Sequence, residues 1–423
     1  MMVPAEPHRR AALAFIFVTV LIDMLAFGMI IPVLPILVQD FVGGNASRAA
    51  AMYGVFGTAW ALMQLIFSPV QGSLSDRFGR RPVILISCAG LGLDFILMAL
   101  APNLWWLLAG RVISGITAAS FSTAAAYISD ITPPQRRAAS FGLIGAAFGV
   151  GFVLGPALGG LLGTISPRLP FWAAAVMALA NVCWGLFVLP ESLPKNLRVP
   201  FSWKSANPLG ALKLLRSHPL LAGLAASYFL LNLAHVVLPS TTVLYMHYRY
   251  GWGTRAVGLL LAGVGVSSLI VQGFLVKPMV AWLKERRAMA VGLTFGALGF
   301  AIYGLAPTGP IFWMGVPVMA LWGIATPSLQ TMMTGLVDAT EQGRLQGALA
   351  SLTGLASLIG PTVFTQTFSV FIGPHADLGL PGAPFLLAAV LVFASMLLAW
   401  RTTQPPPDHD ASPHSEKAPM AST

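Results

Sequence analysis

The chain has 423 residues, 56% hydrophobic and 9% charged, and its mean hydropathy of +0.78 excludes an ordinary soluble protein. Twelve spans of about 20 to 25 residues would use roughly 240 to 300 positions, so no soluble catalytic domain fits in the remainder. The 24 Lys and Arg against 14 Asp and Glu give a formal charge of +10, an excess that membrane topology explains without a nucleic-acid partner.

Arg9 and Arg10 precede an apolar run from Ala11 to Val38 that has no clear cleavage site. That run reads as a retained first membrane helix rather than a signal peptide, with residues 1–10 as a cytoplasmic N-terminus. Further apolar stretches begin near Ala49, Pro82, Leu104, Ala139 and Phe171, then near Pro219, Ala256, Ala288, Ile311, Gly347 and Pro384. Each is about 18 to 28 residues long, enough to cross a bilayer. The expected fold is an all-α membrane protein of twelve transmembrane helices, in two six-helix bundles over residues 11–190 and 219–401.

Residues 191–218, with Pro194, Pro200 and Pro208, read as a cytoplasmic linker. Leu209, Leu212 and Leu215 recur there at helical spacing around Lys213 and Arg216, predicting a short helix on the membrane surface. Residues 402–423 read as a disordered cytoplasmic tail, its His409 and His414 solvated rather than metal-binding. The two cysteines, Cys88 and Cys183, sit in separate apolar segments and imply no disulfide framework.

With both termini cytoplasmic, nineteen of the 24 basic side chains fall on the inner side, from Arg9 and Arg10 to Arg401 and Lys417. Four, Arg48, Arg168, Arg249 and Arg255, fall outside, and Arg111 lies within a span. The positive-inside rule then gives a multi-pass protein of the cytoplasmic (inner) membrane.

A repeat supports two halves. Gly142 is followed thirteen residues on by Gly155-Pro156, and Gly347 thirteen residues on by Gly360-Pro361, at an offset of 205. Asp130 precedes Arg136 by six as Asp338 precedes Arg344. Parallel halves of this kind suit a transporter with a substrate path between two similar bundles.

Of the fourteen acids, Asp23 and Asp94 alone sit inside spans. A carboxylate in hydrocarbon is retained only when paired, hydrated or protonated, so each is a candidate proton carrier or a permanently paired lock. At about 1.5 Å per residue, Asp94 and Arg111 both lie roughly 10 Å below the outer surface and can pair. Asp23 falls near the bilayer centre with no cation at its level, and is the first candidate for reversible protonation.

The loop after the second span runs Gly72-Ser-Leu-Ser-Asp76-Arg77-Phe-Gly79-Arg80-Arg81. Its glycines permit close backbone approach, and Asp76 four residues before Arg80 allows a mutual or intersegment charge latch. The fifth span carries Gly145, Gly149, Gly151, Gly155, Pro156, Gly159, Gly160 and Gly163, a smooth surface against which another helix can slide or seal.

The 72–81 loop resembles the signature loop of the major facilitator superfamily, and Gly151-x3-Gly155-Pro156-x2-Gly159-Gly160 resembles the fifth-helix motif of its drug:proton antiporter branch. Leu108-x2-Arg111-x3-Gly115 is similar to that branch's fourth-helix motif, whose arginine is associated with proton transfer. Asp23 with Pro32-Val-Leu-Pro35, then Ala61-Leu-Met-Gln64, Ala126-Tyr-Ile-Ser-Asp130-Ile-Thr132, Asn207-Pro208 and Gln342-Gly-Arg-Leu-Gln-Gly347 resemble the tetracycline efflux proteins, and the similarity runs from about residue 15 to 400.

The resemblance implies proton-driven drug export by a monomer, with protons as the coupling ion, no resident cofactor, and Mg2+ carried with the drug. It implies Asp23, Asp94 and Arg111 in proton handling and Gln64 and Gln272 facing the drug cavity. It further implies Asp76 at the N-terminus of helix eleven near Gln346, with Arg80 reaching Asp130. Asn232 and His235 in the seventh span are further polar candidates for the cavity, His235 otherwise serving an interhelical hydrogen bond. Trp60, Tyr228, Phe229 and Trp322 are candidates to stack on a flat drug.

Two departures stand out. The ninth span, Val291 to Phe300, lacks the acid of the tetracycline antiporters, and Ser268 replaces their histidine in the eighth. A proton-coupled symporter of another metabolite is the mechanistic rival. A receptor or scaffold is a third class, against which intramembrane charge and pseudo-repeats argue. No HExxH, CxxC, GxSxG or Walker-type loop supports an enzyme. Asn45-Ala-Ser47 forms a lone glycosylation sequon.

Overall fold

Hydrocarbon offers backbone amides and carbonyls no water, so a spanning segment must bond them internally, and every regular element among the described residues is helical. The computed structural model describes residues 6–117, 120–201, 210–216, 219–338 and 341–403.

The first half comprises α1 (Glu6–Ile30, resuming after a turn as Leu34–Phe41), α2 (Ala46–Phe78), α3 (Arg80–Leu100), α4 (Leu104–Thr117 and Ser120–Ile131), α5 (Pro134–Ile165) and α6 (Leu169–Val188). The second comprises α7 (Pro219–His235 and Val237–Tyr250), α8 (Thr254–Ile270, extended through Val271–Leu275 to residue 283), α9 (residues 285–305), α10 (Gly309–Ala320, Leu321–Ile324 and Ala325–Thr334), α11 (Gln342–Ile372) and α12 (Ala383–Thr402).

Among the described residues ten helical runs are long and apolar enough to cross a membrane. One of them, Thr254–Leu305, is divided at Lys284, whose φ of 61° and ψ of 163° end α8 and start α9. With the shorter apolar Leu104–Thr117 opening α4, the spans number twelve.

An even number of crossings puts both ends of the described chain on one side, here the terminal side, with the loops after α2, α4, α6, α8 and α10. Within the first half α1 packs on α5 and α6, and α3 on α4 and α6; within the second, α12 packs on α7 and α9. The halves meet along two seams, α2 with α11 and α5 with α8.

Both seams close towards the far side. Ser47 Oγ lies 2.8 Å from Ser369 Oγ, Thr58 Oγ1 lies 2.8 Å from Thr362 Oγ1, and Thr254 Oγ1 donates to the Gly160 carbonyl at 3.2 Å. Buried apolar residues on that side form one cluster running through both halves, whereas the cluster of Phe15, Ile84 and Tyr127 belongs to the first half alone. On the terminal side Gly72, Gly142, Gly145, Gly273 and Gly343 have no heavy atom near where a side chain would start. The molecule is therefore sealed on the far side and parted on the terminal side.

The linker differs from expectation. Gly210–Arg216 is a 3-10 segment with Leu214 and Leu215 buried against α7 and α11, not a helix lying on a lipid surface. Lys204, Asn207, Pro208 and Leu209 lie outside the described residues, as do residues 1–5 and the tail from 404 with His409, His414 and Lys417. Asn45 and Ser47 are both occupied: Asn45 Oδ1 caps α2 by accepting from the Arg48 amide at 2.9 Å, and Ser47 belongs to the seam.

Candidate functional site

Asp94 and Arg111 meet between α3 and α4, Arg111 Nη2 donating to Asp94 Oδ2 at 2.8 Å. The carboxylate is 0% exposed, so the pairing expected from equal depth is a closed one. Ser114 stands beside the carboxylate, and Met98 Sδ lies 3.3 Å from Arg111 Nη2. Gly110 leaves room for Asp94: a Cβ there would fall 2.6 Å from Asp94 Oδ1.

Asp23 is buried in α1, one turn from Thr19. Asn181 Nδ2 of α6 lies 3.1 Å from Thr19 Oγ1 and 3.8 Å from Cys88 Sγ of α3, and the Asp23 charge reaches that thiol. Three helices thus supply a polar surround in which Asp23 is itself engaged by a neighbouring group.

In the second half, two non-α turns pack side by side: the π-helical turn Val271–Leu275 of α8 and the 3-10 turn Leu321–Ile324 of α10. Such interruptions in a spanning helix recur at functional sites. Gln272 in the first turn is exposed, and its Cγ lies 3.9 Å from where a side chain on Gly323 of α10 would start. His235, at the break in α7, is also exposed, its ring 5.5 Å from that of buried Trp322.

Among the described residues the contact of the His235 ring is with the Trp322 ring of α10 rather than a hydrogen bond. Asn232 instead joins helices: its Nδ2 donates to the Tyr228 carbonyl at 2.8 Å and its Oδ1 accepts from Thr353 at 3.5 Å. Tyr228 is buried and its hydroxyl accepts from Gln330 at 3.4 Å, leaving its ring no free face. Gln64 is half-buried on α2, where the neighbouring Trp60 packs 6.3 Å from Phe27. Among the described residues no three His, Cys, Asp or Glu gather as a metal site.

At the terminal end of the first half, Arg80 binds two acids, Asp76 as the four-residue spacing allows and Asp130 as the resemblance implies: Nη1 contacts Asp76 Oδ1, and Nε donates to Asp130 Oδ2 at 3.1 Å. Arg80 Nη1 also donates to Ser75 Oγ at 2.7 Å. The pairing of Asp76 is therefore mutual. Asp76 does not reach α11; its side chain is 49% exposed, and Gln346 stands exposed on the other half. Arg77 projects outward over Phe78.

Glu191 holds the helix N-terminus in this region, a role the sequence reading missed. Its carboxylate accepts from the amides of Arg80 at 2.8 Å and Arg81 at 3.3 Å, capping α3 where the dipole favours an anion. Gly79, at φ 107°, both makes the left-handed turn and leaves space for Glu191. The signal was Pro190-Glu191-Ser192 directly after the sixth span, since Ser192 Oγ donates to Asp130 at 3.1 Å as well.

The fifth-helix glycines face two partners rather than one. Gly151, Gly155 and Gly159 receive α1, a Cβ on Gly155 falling 2.8 Å from the Gly28 Cα. Gly160 and the Pro156 carbonyl receive Gly258 and Thr254 of α8 across the seam. In the repeat, Gly360 meets Val236 of its own half while Pro361 meets Gly54 and Gly57 of the other.

The family model described as Major Facilitator Superfamily matches residues 16–361. The chain belongs to the Major Facilitator Superfamily. It is a multi-pass membrane transporter and not an enzyme, with the twelve-helix fold expected of a superfamily member. It is 41% identical over 361 residues to the tetracycline resistance protein, class C, of Escherichia coli, covering 85% of this chain and 90% of that one. To the class G protein of Vibrio anguillarum it is 38% identical, covering 83% and 89%. Among solved structures, a bacterial homologue of the human lysosomal transporter Spinster superposes with a TM-score of 0.74 at 17% identity, covering 94% and 96%, which speaks to fold alone.

Proposed function

We propose that this transporter exports tetracycline-type amphipathic drugs from the cytoplasm in exchange for protons, by alternating access. The observation that carries the reading is the 41% identity to a tetracycline resistance protein along 85% of the chain. Nineteen basic side chains on the terminal side against four on the far side support a cytoplasmic terminal side in the inner membrane. On that reading the conformation described is open to the cytoplasm.

Residues 11–190 and 219–401 act as two rocking bodies joined by the linker 191–218. Asp23 takes up and releases the proton, with Asp94 and Arg111 as the paired charge that responds to it. Moving one charge through the membrane potential supplies about 2.3 kcal/mol per 100 mV, enough to bias the cycle. Gln64, Gln272, Asn232 and His235 face the drug, Mg2+ travels with it, and the monomer is the working unit. Gly72, Asp76, Arg77, Gly79, Arg80 and Asp130 form the latch, which moves Asp76 from Arg80 to α11 when the cytoplasmic side closes. Gly151, Gly155, Pro156, Gly159 and Gly160 provide the far-side bearing.

The test uses everted vesicles holding a proton gradient read by a pH-sensitive dye, with tetracycline plus Mg2+ added to wild type and Asp23→Asn. Drug-induced proton flux in wild type and none in the variant is expected. Coupled flux retained by Asp23→Asn removes Asp23 from the mechanism. Flux with other drugs but not with tetracycline removes the substrate assignment.

A further inference from the structure

Beyond Ala61, the buried positions of α2 are Gln71 and Ser75, both polar and one helical turn apart. Lipid tails are as apolar as a leucine face, so apolar contact alone does little to fix how this stretch of helix is rotated against its bundle. Directional bonds from a buried amide do fix it, because they fail when the helix turns.

Gln71 makes such bonds to two helices at once. Its Nε2 donates to the carbonyl of Ile116 on α4, and its Oε1 accepts from Ser87 Oγ on α3 at 3.5 Å. Its side of α2 continues one turn on into Ser75, which donates to the Gly72 carbonyl at 2.8 Å and accepts from Arg80. Towards the membrane centre, α3 and α4 remain in close contact at Gly90 and Thr117, and Thr117 Oγ1 donates back to the carbonyls of Ile113 and Ser114. Ser114 is the neighbour of the Asp94 carboxylate. Gln71 thus stands between the intramembrane Asp94–Arg111 pair and the Arg80 latch: its α4 partner Ile116 lies two residues after Ser114, and Ser75 follows Gln71 one turn on along α2.

We propose that Gln71 is a positioning residue of the transport cycle, locking the terminal-side part of α2 to α3 and α4 so that Asp76 travels with the first half as one rigid piece. The same α2 forms the far-side seam with α11, so a lower half free to swing would let the latch open and close without moving the seam. The inference rests on the exchange cycle proposed above.

The test compares wild type, Gln71→Met, which keeps length and volume but makes neither bond, and Ser87→Ala, which removes one. All are full-length, in everted vesicles, with Cys183→Ser and Gly343→Cys as background, Gly343 being exposed on α11 with open space around it. Two quantities are read: KM and maximal rate of tetracycline uptake, and labelling of the introduced thiol by an impermeant reagent with and without an imposed proton gradient. The expectation for Gln71→Met is a maximal rate lower by about tenfold at unchanged KM, the scale of one or two neutral hydrogen bonds. Its thiol labelling should no longer respond to the gradient, and Ser87→Ala should lose about threefold in rate.

A wild-type maximal rate in Gln71→Met overturns the proposal, as does a slowed variant whose labelling still follows the gradient. Should Gln71→Met fail to insert, Ser87→Ala decides by the same two readings. Labelling needs no drug, so wild type that responds to the gradient but ignores tetracycline loses the substrate reading while the Gln71 comparison still stands or falls on labelling.

Discussion

Arg111 and Asp94 hold each other at 2.8 Å with the carboxylate wholly withdrawn from solvent. Removing one member of such a pair leaves an uncompensated charge, which costs about 3 to 5 kcal/mol. Arg111→Met should therefore lower the thermal unfolding midpoint of the detergent-purified protein sharply. Asp94→Asn combined with Arg111→Met should recover part of the loss. Strictly additive losses would show that the pair is not coupled.

The far-side seam has no spare volume at Gly54, where a new Cβ would collide with Thr365 Oγ1. Gly54→Val should force α2 from α11 and populate the form open on the far side. Spin labels at Arg48 and Asp377, exposed on the far side in opposite halves, should then report longer distances than in wild type. An unchanged distance distribution would mean that the seam repacks around the added methyls.

Lys284 occupies backbone space at φ 61°, ψ 163° that glycine adopts freely and other residues reach at a cost of about 1 to 3 kcal/mol. Lys284→Gly should raise the unfolding midpoint, with a gain of about 1 kcal/mol after the added flexibility of the unfolded chain is subtracted. Lys284→Val should lower it. The same order of midpoints is the check, and a destabilised glycine variant would contradict the strain.

Glu191 caps α3 beside the latch. Glu191→Ala frees two amides and removes an anion from a helix N-terminus, a loss of about 0.5 to 2 kcal/mol. Drug uptake should fall severalfold while detergent-solubilised protein still binds drug. Equal losses of binding and uptake would place Glu191 in folding alone.

Much of this was legible in the chain. Spans announce themselves because hydrocarbon demands long apolar runs, and the Gly-Pro repeat marked both seams because only small residues let helices of opposite halves approach. Asp94 and Arg111 were paired correctly from depth alone. What stayed hidden depends on contacts between segments distant in sequence. Glu191 read as the start of a linker because its partners, the amides of Arg80 and Arg81, carry no side-chain signature. The π-turn of α8 at Gln272 had a signal that went unread: Pro278 offers no amide to the carbonyl of Phe274 four residues before it, within that turn. Asp76 was expected at α11, whereas the structure pairs it with Arg80 of its own half.

The two ends of the molecule are built from different chemistry. Among the described residues the far-side seam is crossed by hydroxyls, a tyrosine and backbone carbonyls, and by no ion pair. On the terminal side, where the halves are parted, Arg80 binds Asp76 and Asp130 within the first half, with Glu191 on its backbone amide. Salt screens exposed charge over a Debye length of about 8 Å at physiological strength and leaves neutral contacts almost untouched. Parting of the far-side seam should therefore be indifferent to ionic strength, whereas the Arg80 cluster of the first half is the part of the molecule that salt can loosen.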